Sequence, residues 1–187
     1  MRKIKKLLKT ILQIKKEQFE TQRAIRFLID CCLDEKGRQK ISQSKPLVMH
    51  SLRVGFDLLK RGYDKDIVIG AILHDVEENA NVSIKEIERR FGKKISKIIE
   101  AVSFNSEIKN QKERDLNLYQ KIAKAGYEAM IISVADHLDN ADYYKYAKSK
   151  LTKEYVKEKW QIFLKIVASK ISNEPIVEEF KKKMKNL

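Results

Sequence analysis

An all-helical fold is predicted by three observations. Glycine and proline are scarce, six and two in 187 residues, which disfavours turn-rich sandwiches and barrels. Apolar residues recur at helical spacing, as at Leu47, Val54 and Leu58 or at Ile95, Ile98, Ile99 and Val102. Helix-start signals stand where such stripes begin: Pro46, Ser83 with Glu86 three residues on, and Pro175. The length suits one core, and a hydrophobic content of 43% is ordinary for a globular chain.

Residues 2–33 read as one long or once-broken helix. Its Ile4, Leu7, Leu8, Ile11 and Leu12 form a stripe suited to core or partner packing. This start is basic, but lysines interrupt it and no small-residue cleavage site follows, so it does not read as a signal peptide. The polar segment DEKGRQKISQSK leads to Pro46 in the first turn of a helix running to Gly62. There His50 falls on the face of Leu47, Val54 and Leu58 and points inward.

Two stretches are ambiguous. IVIGAILHD (67–75) and MIISVAD (130–136) are apolar, partly β-branched, and end in an acid. As strands they would place carboxylates at the edge of a parallel sheet, as in a doubly wound α/β phosphohydrolase. Neither is followed by a glycine-rich turn and other strand candidates are lacking, so buried helices are the better reading. Ser83 opens a helix ending near Gly92, and the stripe from Ile95 to Val102 follows. FNSEIKNQKERD (104–115) has almost no apolar anchors and is a loop or the start of a charged helix. Helices are predicted at about 115–125, 127–148 and 152–171, with the last from Pro175. Without a linker or repeat, residues 1–187 are expected to form one domain, with a core at about 20–147 and extensions at both ends.

The formal charge of +14 comes mainly from lysine, concentrated at the two ends. A polyanion partner would account for it, and so would a solvated lysine surface. Arginine, the better reader of bases and phosphates, is not enriched, so nucleic acid is not the favoured partner. No apolar run approaches the roughly 20 residues of a membrane span. The adjacent Cys31 and Cys32 suit reduced thiols in a cytoplasm.

The chain has three histidines, His50, His74 and His137. His50 is inward on one helix, His74-Asp75 ends the next apolar segment, and Asp136 lies inside another. A charged aspartate in a buried run is costly unless paired or coordinated. Two imidazoles with two carboxylates suit a divalent ion such as Mn²⁺ or Fe²⁺; separately satisfied core residues are the alternative.

In that order, His50, His74-Asp75 and Asp136 resemble the H…HD…D pattern of the HD superfamily of metal-dependent phosphohydrolases. Within it, the chain is similar to the hydrolase domain of the RelA/SpoT family and its small stand-alone relatives over about residues 20–147. PLVMHSLRVG resembles P-Y-x-x-H-P-x-x-V-A, and AILHDVEEN resembles A-x-L-L-H-D-x-x-E-D. VSIKEIERRFGKKISKIIEAVS resembles T-x-x-E-I-x-x-x-F-G-x-x-V-x-x-x-V-x-x-V-T, and SVADHLDNADYY resembles K-L-A-D-R-L-x-N. The resemblance implies a helical HD domain that removes the 3′-pyrophosphate of (p)ppGpp in the cytoplasm, as part of the stringent response. It further implies that His50, His74, Asp75 and Asp136 hold one divalent ion, expected to be Mn²⁺. Glu78 and Asn79 fall on the catalytic acid pair, Asn140 on the asparagine that holds the sugar-phosphate, and Arg38 and Lys40 on a basic segment that contacts the nucleotide.

The chain also departs from the pattern. Asn79 stands where the second acid is usual, and an amide cannot exchange a proton near neutral pH. Ser51 replaces a proline and His137 a basic residue, while Asp139 and Asp142 add negative charge near the expected pocket. A different nucleotide phosphatase on the same scaffold, or a nucleotide-binding sensor with little turnover, fits these departures. The lysine-rich ends lie outside the span of resemblance, so removal of residues 176–187 is expected to leave turnover intact.

Overall fold

The computed structural model describes residues 2–33, 41–42, 45–145 and 149–186. It is all-helical: α1 (Arg2–Cys32), α2 (Leu47–Lys60), α3 (Lys65–Leu73), α4 (Val76–Ala80), α5 (Ile84–Val102), α6 (Gln111–Ala125), α7 (Tyr127–Lys145), α8 (Lys150–Ile166) and α9 (Pro175–Lys185). A 3₁₀ turn at Ala168–Ile171 joins the last two. Among the described residues the one departure is a two-residue antiparallel pairing of Ile41–Ser42 with Lys45–Pro46 just before α2, in a segment whose polar sequence carries no strand pattern.

The two ambiguous segments are helices. In α3 every residue from Ile67 to Leu73 is buried, and α7 is buried from Ala129 to Ala135. A helix surrounded on all sides has no polar face, so it loses the 3.6-residue signature that would distinguish it from a strand. The predicted break at Gly92 is present: that residue has φ 86°, a region glycine enters at little cost, and it divides α5 into two arms. Only half of the capping box forms. Ser83 Oγ accepts from Glu86 N at 3.2 Å, whereas the Glu86 carboxylate is taken by Arg89 and Arg90 one turn on. The charged stretch 104–115 resolves into a loop and the start of α6, where the Asn110 side chain accepts from Glu113 N.

Among the described residues, one continuous cluster of buried side chains draws on all nine helices. The central helix is α7, which meets α2, α3, α5, α6, α8 and α9. The pair α2 and α3 approach closely because Gly55 lacks a side chain: a Cβ there would lie 2.4 Å from Ile72 Cγ1. Gly55→Ala is therefore expected to destabilise the fold by about 1–3 kcal/mol through overpacking. A chemical-denaturation midpoint equal to that of the parent would contradict this.

The C-terminal residues are not the exposed appendage that their lysine run suggests. Ile176, Val177 and Phe180 are fully buried. Lys183 bonds Asp142 of α7 at 2.7 Å, and Glu179 bonds Arg61 at 2.6 Å. This burial argues against the expectation that residues 176–187 are dispensable for turnover, because α9 closes one side of α7. Among the described residues, no helix is long and apolar enough to cross a membrane.

Candidate metal centre and surrounding pocket

Three helix segments bring the histidine and aspartate side chains together. The inward face of α2 supplies His50, which is fully buried. Helix α3 ends at Leu73, and the chain turns into α4 through His74 and Asp75, both with α-region torsions. The two consecutive side chains come together at this junction, His74 Nε2 lying 3.5 Å from Asp75 Oδ2. The middle of α7 supplies Asp136.

The donor atoms of His50, His74 and Asp136 all lie within 4.8 Å of one another. His50 Nε2 is 3.2 Å from His74 Nε2 and 3.0 Å from Asp136 Oδ1. Asp75 Oδ2 lies 3.6 Å and 3.5 Å from the same two nitrogens. The outward ring nitrogens are engaged elsewhere. His74 Nδ1 donates to the Ala71 carbonyl at 2.7 Å, and His50 Nδ1 donates to Asp139 Oδ2 at 2.7 Å. Both partners accept only, so in the neutral rings the protons sit on Nδ1 and the two Nε2 lone pairs face each other. The two imidazole nitrogens and Asp136 converge in a way that fits a divalent cation, with Asp75 beside that group of three and not within it. Donors about 2.1 Å from a common centre are separated by about 3.0–3.4 Å in octahedral or tetrahedral arrangements, and the observed spacings are close to that.

Asp136 is held from both sides. Asn140 Nδ2 donates to its Oδ1 at 2.7 Å, and His137 Nδ1 lies 3.2 Å from its Oδ2. His137 itself is buried against Tyr119, Trp160, Phe163 and Phe180, and its Nε2 lies 3.2 Å from the Tyr119 hydroxyl. Burial lowers its pKa despite the neighbouring Asp136.

Glu78 and Asn79 line the same pocket one turn beyond Asp75. Glu78 accepts from Phe104 N at 2.7 Å, while Lys121 ties down the adjoining Ser103 carbonyl. Burial and then the charge of Asp75 push the Glu78 carboxyl up to about 8, against the pull of the Phe104 amide. Asn79 Nδ2 donates to the Asp75 carbonyl at 3.2 Å, fixing the α3–α4 turn.

The added acids do not burden the pocket as the sequence suggests. Asp139 is clamped by Arg53, whose Nε and Nη2 donate to its two oxygens at 2.8 Å and 2.9 Å. Burial opposes ionisation of Asp139, but the His50 and Arg53 hydrogen bonds overcome it and hold the carboxyl at about 2. Asp142 faces away, toward Lys183. Arg38 and Lys40 lie outside the described residues. Arg114 and Lys159 are the cations that line the pocket instead. Arg114 lies 4.7 Å over the Phe104 ring, and Lys159 Nζ is 3.0 Å from Asp115. Their lone cue in the sequence is that each is a cation near an acid on a helix, which is too common to single them out.

Comparison with known proteins agrees with this architecture. The chain is 31% identical over 147 residues to a guanosine-3′,5′-bis(diphosphate) 3′-pyrophosphohydrolase of Aquifex aeolicus, matching 77% of this chain and 20% of that protein. It is 30% identical over 105 residues to a Drosophila melanogaster enzyme of the same description, matching 55% of this chain and 58% of that one. The chain thus spans about a fifth of the bacterial relative and somewhat over half of the insect one. Among solved structures, a metazoan orthologue of SpoT described as hydrolysing ppGpp superimposes with a TM-score of 0.71 at 20% identity, covering 89% of this chain and 94% of that chain. A Listeria monocytogenes protein superimposes with a TM-score of 0.63 at 24% identity, over 73% and 96% of the two chains. The profile described as HD domain matches residues 24–171, reaching from α1 through the 3₁₀ turn and past residue 147. A helical scaffold that sets a His-Asp pair beside a second histidine and a second aspartate implies a divalent metal, and on the strength of that match the chain belongs to the HD-domain family.

Proposed function

We propose that the protein is a metal-dependent phosphohydrolase acting on a nucleotide, with removal of the 3′-pyrophosphate of (p)ppGpp as its reaction. The observation that carries this reading is the convergence of His50, His74 and Asp136, with Asp75 alongside, next to a pocket that Arg114 and Lys159 also line. His50, His74, Asp75 and Asp136 would hold the cation, and Mn²⁺ suits this mixed nitrogen and oxygen set. Such an ion, when bound, would supply a lowered pKa for a water and an offset to charge developing on a phosphoryl oxygen. Glu78 stands one turn from Asp75 and, in its ionised form, would take the proton from the attacking water; Asn79 shapes the turn and would offer an amide to orient that water. Arg114 and Lys159 receive the outer phosphates, and Asn140 holds Asp136 in place at the edge of the sugar-phosphate region. Two relatives that share this sequence pattern are described as pyrophosphohydrolases of this substrate, which favours it over other nucleotides. Reduced Cys31 and Cys32 fit a cytoplasmic setting.

The test is a phosphate-release assay over a nucleotide panel with Mn²⁺. The expected result is turnover of ppGpp that His74→Ala abolishes together with metal retention. Inert ppGpp beside another nucleotide that is turned over would overturn the alarmone and leave the phosphohydrolase.

A further inference from the structure

Resting on that reading of the pocket as a metal site, we propose that Asp139, clamped by Arg53, is a positioning residue that aims His50 at the cation and sets how tightly the ion is held. The two histidines are supported in different ways. His74 Nδ1 donates to the carbonyl of Ala71 in its own helix, a neutral acceptor that no side-chain substitution removes. His50 Nδ1 donates instead to a carboxylate oxygen of another helix, 89 residues away in sequence. A carboxylate behind an imidazole fixes the tautomer and ring orientation and makes the opposite nitrogen a stronger donor to a metal.

The carboxylate is itself held in place. Arg53 Nε reaches Oδ1 at 2.8 Å and Nη2 reaches Oδ2 at 2.9 Å, a planar fork on both oxygens. The same Nη2 donates to the Tyr143 hydroxyl at 2.5 Å, and the guanidinium lies 5.2 Å from the centre of the Tyr143 ring. The register explains why the parts meet. His50 and Arg53 are three residues apart on α2, and Asp136 and Asp139 are three apart on α7, so each helix offers one candidate ligand and one support on a shared face. With Asp139 Oδ2 taking the His50 Nδ1 proton at 2.7 Å, His50 Nε2 is turned toward His74 and Asp136. A turned His50 ring would direct a lone pair at Asp139 and remove one donor from the pocket floor.

A plain α2–α7 tie is the competing account. A half-exposed ion pair of that kind contributes at most about 1 kcal/mol to stability and says nothing of metal. Calorimetric titration of metal-stripped protein with Mn²⁺, beside thermal melting of the same samples, separates the two. Asp139→Ala is expected to weaken Mn²⁺ binding by about 10- to 100-fold, while the metal-free protein melts within a few degrees of the parent. Arg53→Gln should weaken binding less, and adding it to Asp139→Ala should cost little more, since both act through one hydrogen bond to His50. If Asp139→Ala does not fold, the isosteric Asp139→Asn decides by the same criterion. Parent-like Mn²⁺ affinity in a folded Asp139 variant overturns the inference and leaves the metal site standing. A parent protein that takes up neither Mn²⁺, Fe²⁺ nor Zn²⁺ overturns the metal reading itself, and this inference with it.

Discussion

Glu78→Gln is expected to lower the manganese-dependent turnover of ppGpp by about 10²- to 10⁴-fold, the usual contribution of a positioned proton acceptor. The substitution keeps the oxygen that accepts from Phe104 N and removes only the basicity. Metal affinity should stay close to that of the parent, because Glu78 supports the pocket wall and not the convergent donor set. Asn79→Asp should act in the opposite direction. It restores a second acid beside Glu78 and is expected to raise turnover about 10- to 100-fold. A drop in activity on Asn79→Asp would mean that the added charge repels the substrate and that the amide belongs to a pocket built for a different nucleotide.

The same residue has a pH signature in the metal-free protein. Its carboxyl is raised from 4.5 to about 8, so the folded state binds a proton that the unfolded chain has lost. The contribution is fully present below pH 4.5 and is lost as pH rises through about 8. Metal-free parent should therefore lose stability over that window more steeply than Glu78→Gln does. Parallel stability–pH curves for the two proteins would show that Glu78 ionises as an ordinary surface acid.

Deletion of residues 176–187 is expected to abolish the folded state, and with it both metal binding and turnover. The segment carries Ile176, Val177 and Phe180, all fully buried. Phe180 packs against Trp160 and Phe163 at ring-centre distances of 5.1 Å and 5.8 Å and against His137 at 5.9 Å. Truncating one buried phenylalanine costs about 3–5 kcal/mol, and a domain of this size holds only about 5–15 kcal/mol in all. Substituting Lys181, Lys182 and Lys185 with Gln, by contrast, should leave melting and turnover near the parent values. Circular dichroism and metal-stripped calorimetry on the two variants would reveal whether the apolar or the charged half of α9 matters.

Much of this arrangement was legible in the sequence because it follows local rules. Pro175 opens α9, Ser83 caps α5, and the inward placement of His50 follows from its spacing to Leu47, Val54 and Leu58. The helical identity of α3 was harder to read, since a fully buried helix is apolar at every position and period gives no answer. The short pairing before α2 left no pattern of its own. The support around the pocket was less visible still. Asp139 read as surplus negative charge, because nothing local links it to Arg53 or His50 across the 86 and 89 residues that separate them. The weight of α9 was hidden by composition: its lysines dominate the count while its three buried residues do the packing.

One aromatic contact has an optical consequence. Trp160 is the chain's single tryptophan. It lines the same pocket as Asp136 and Glu78, with its ring centre 5.7 Å from that of His137, which in turn lies against Asp136. All indole emission therefore originates beside the pocket, in an environment almost wholly screened from water. Quenching or a spectral shift on adding Mn²⁺ or a nucleotide can be assigned to that place without a label, and a stopped-flow trace of the unmodified chain reads out occupancy in real time.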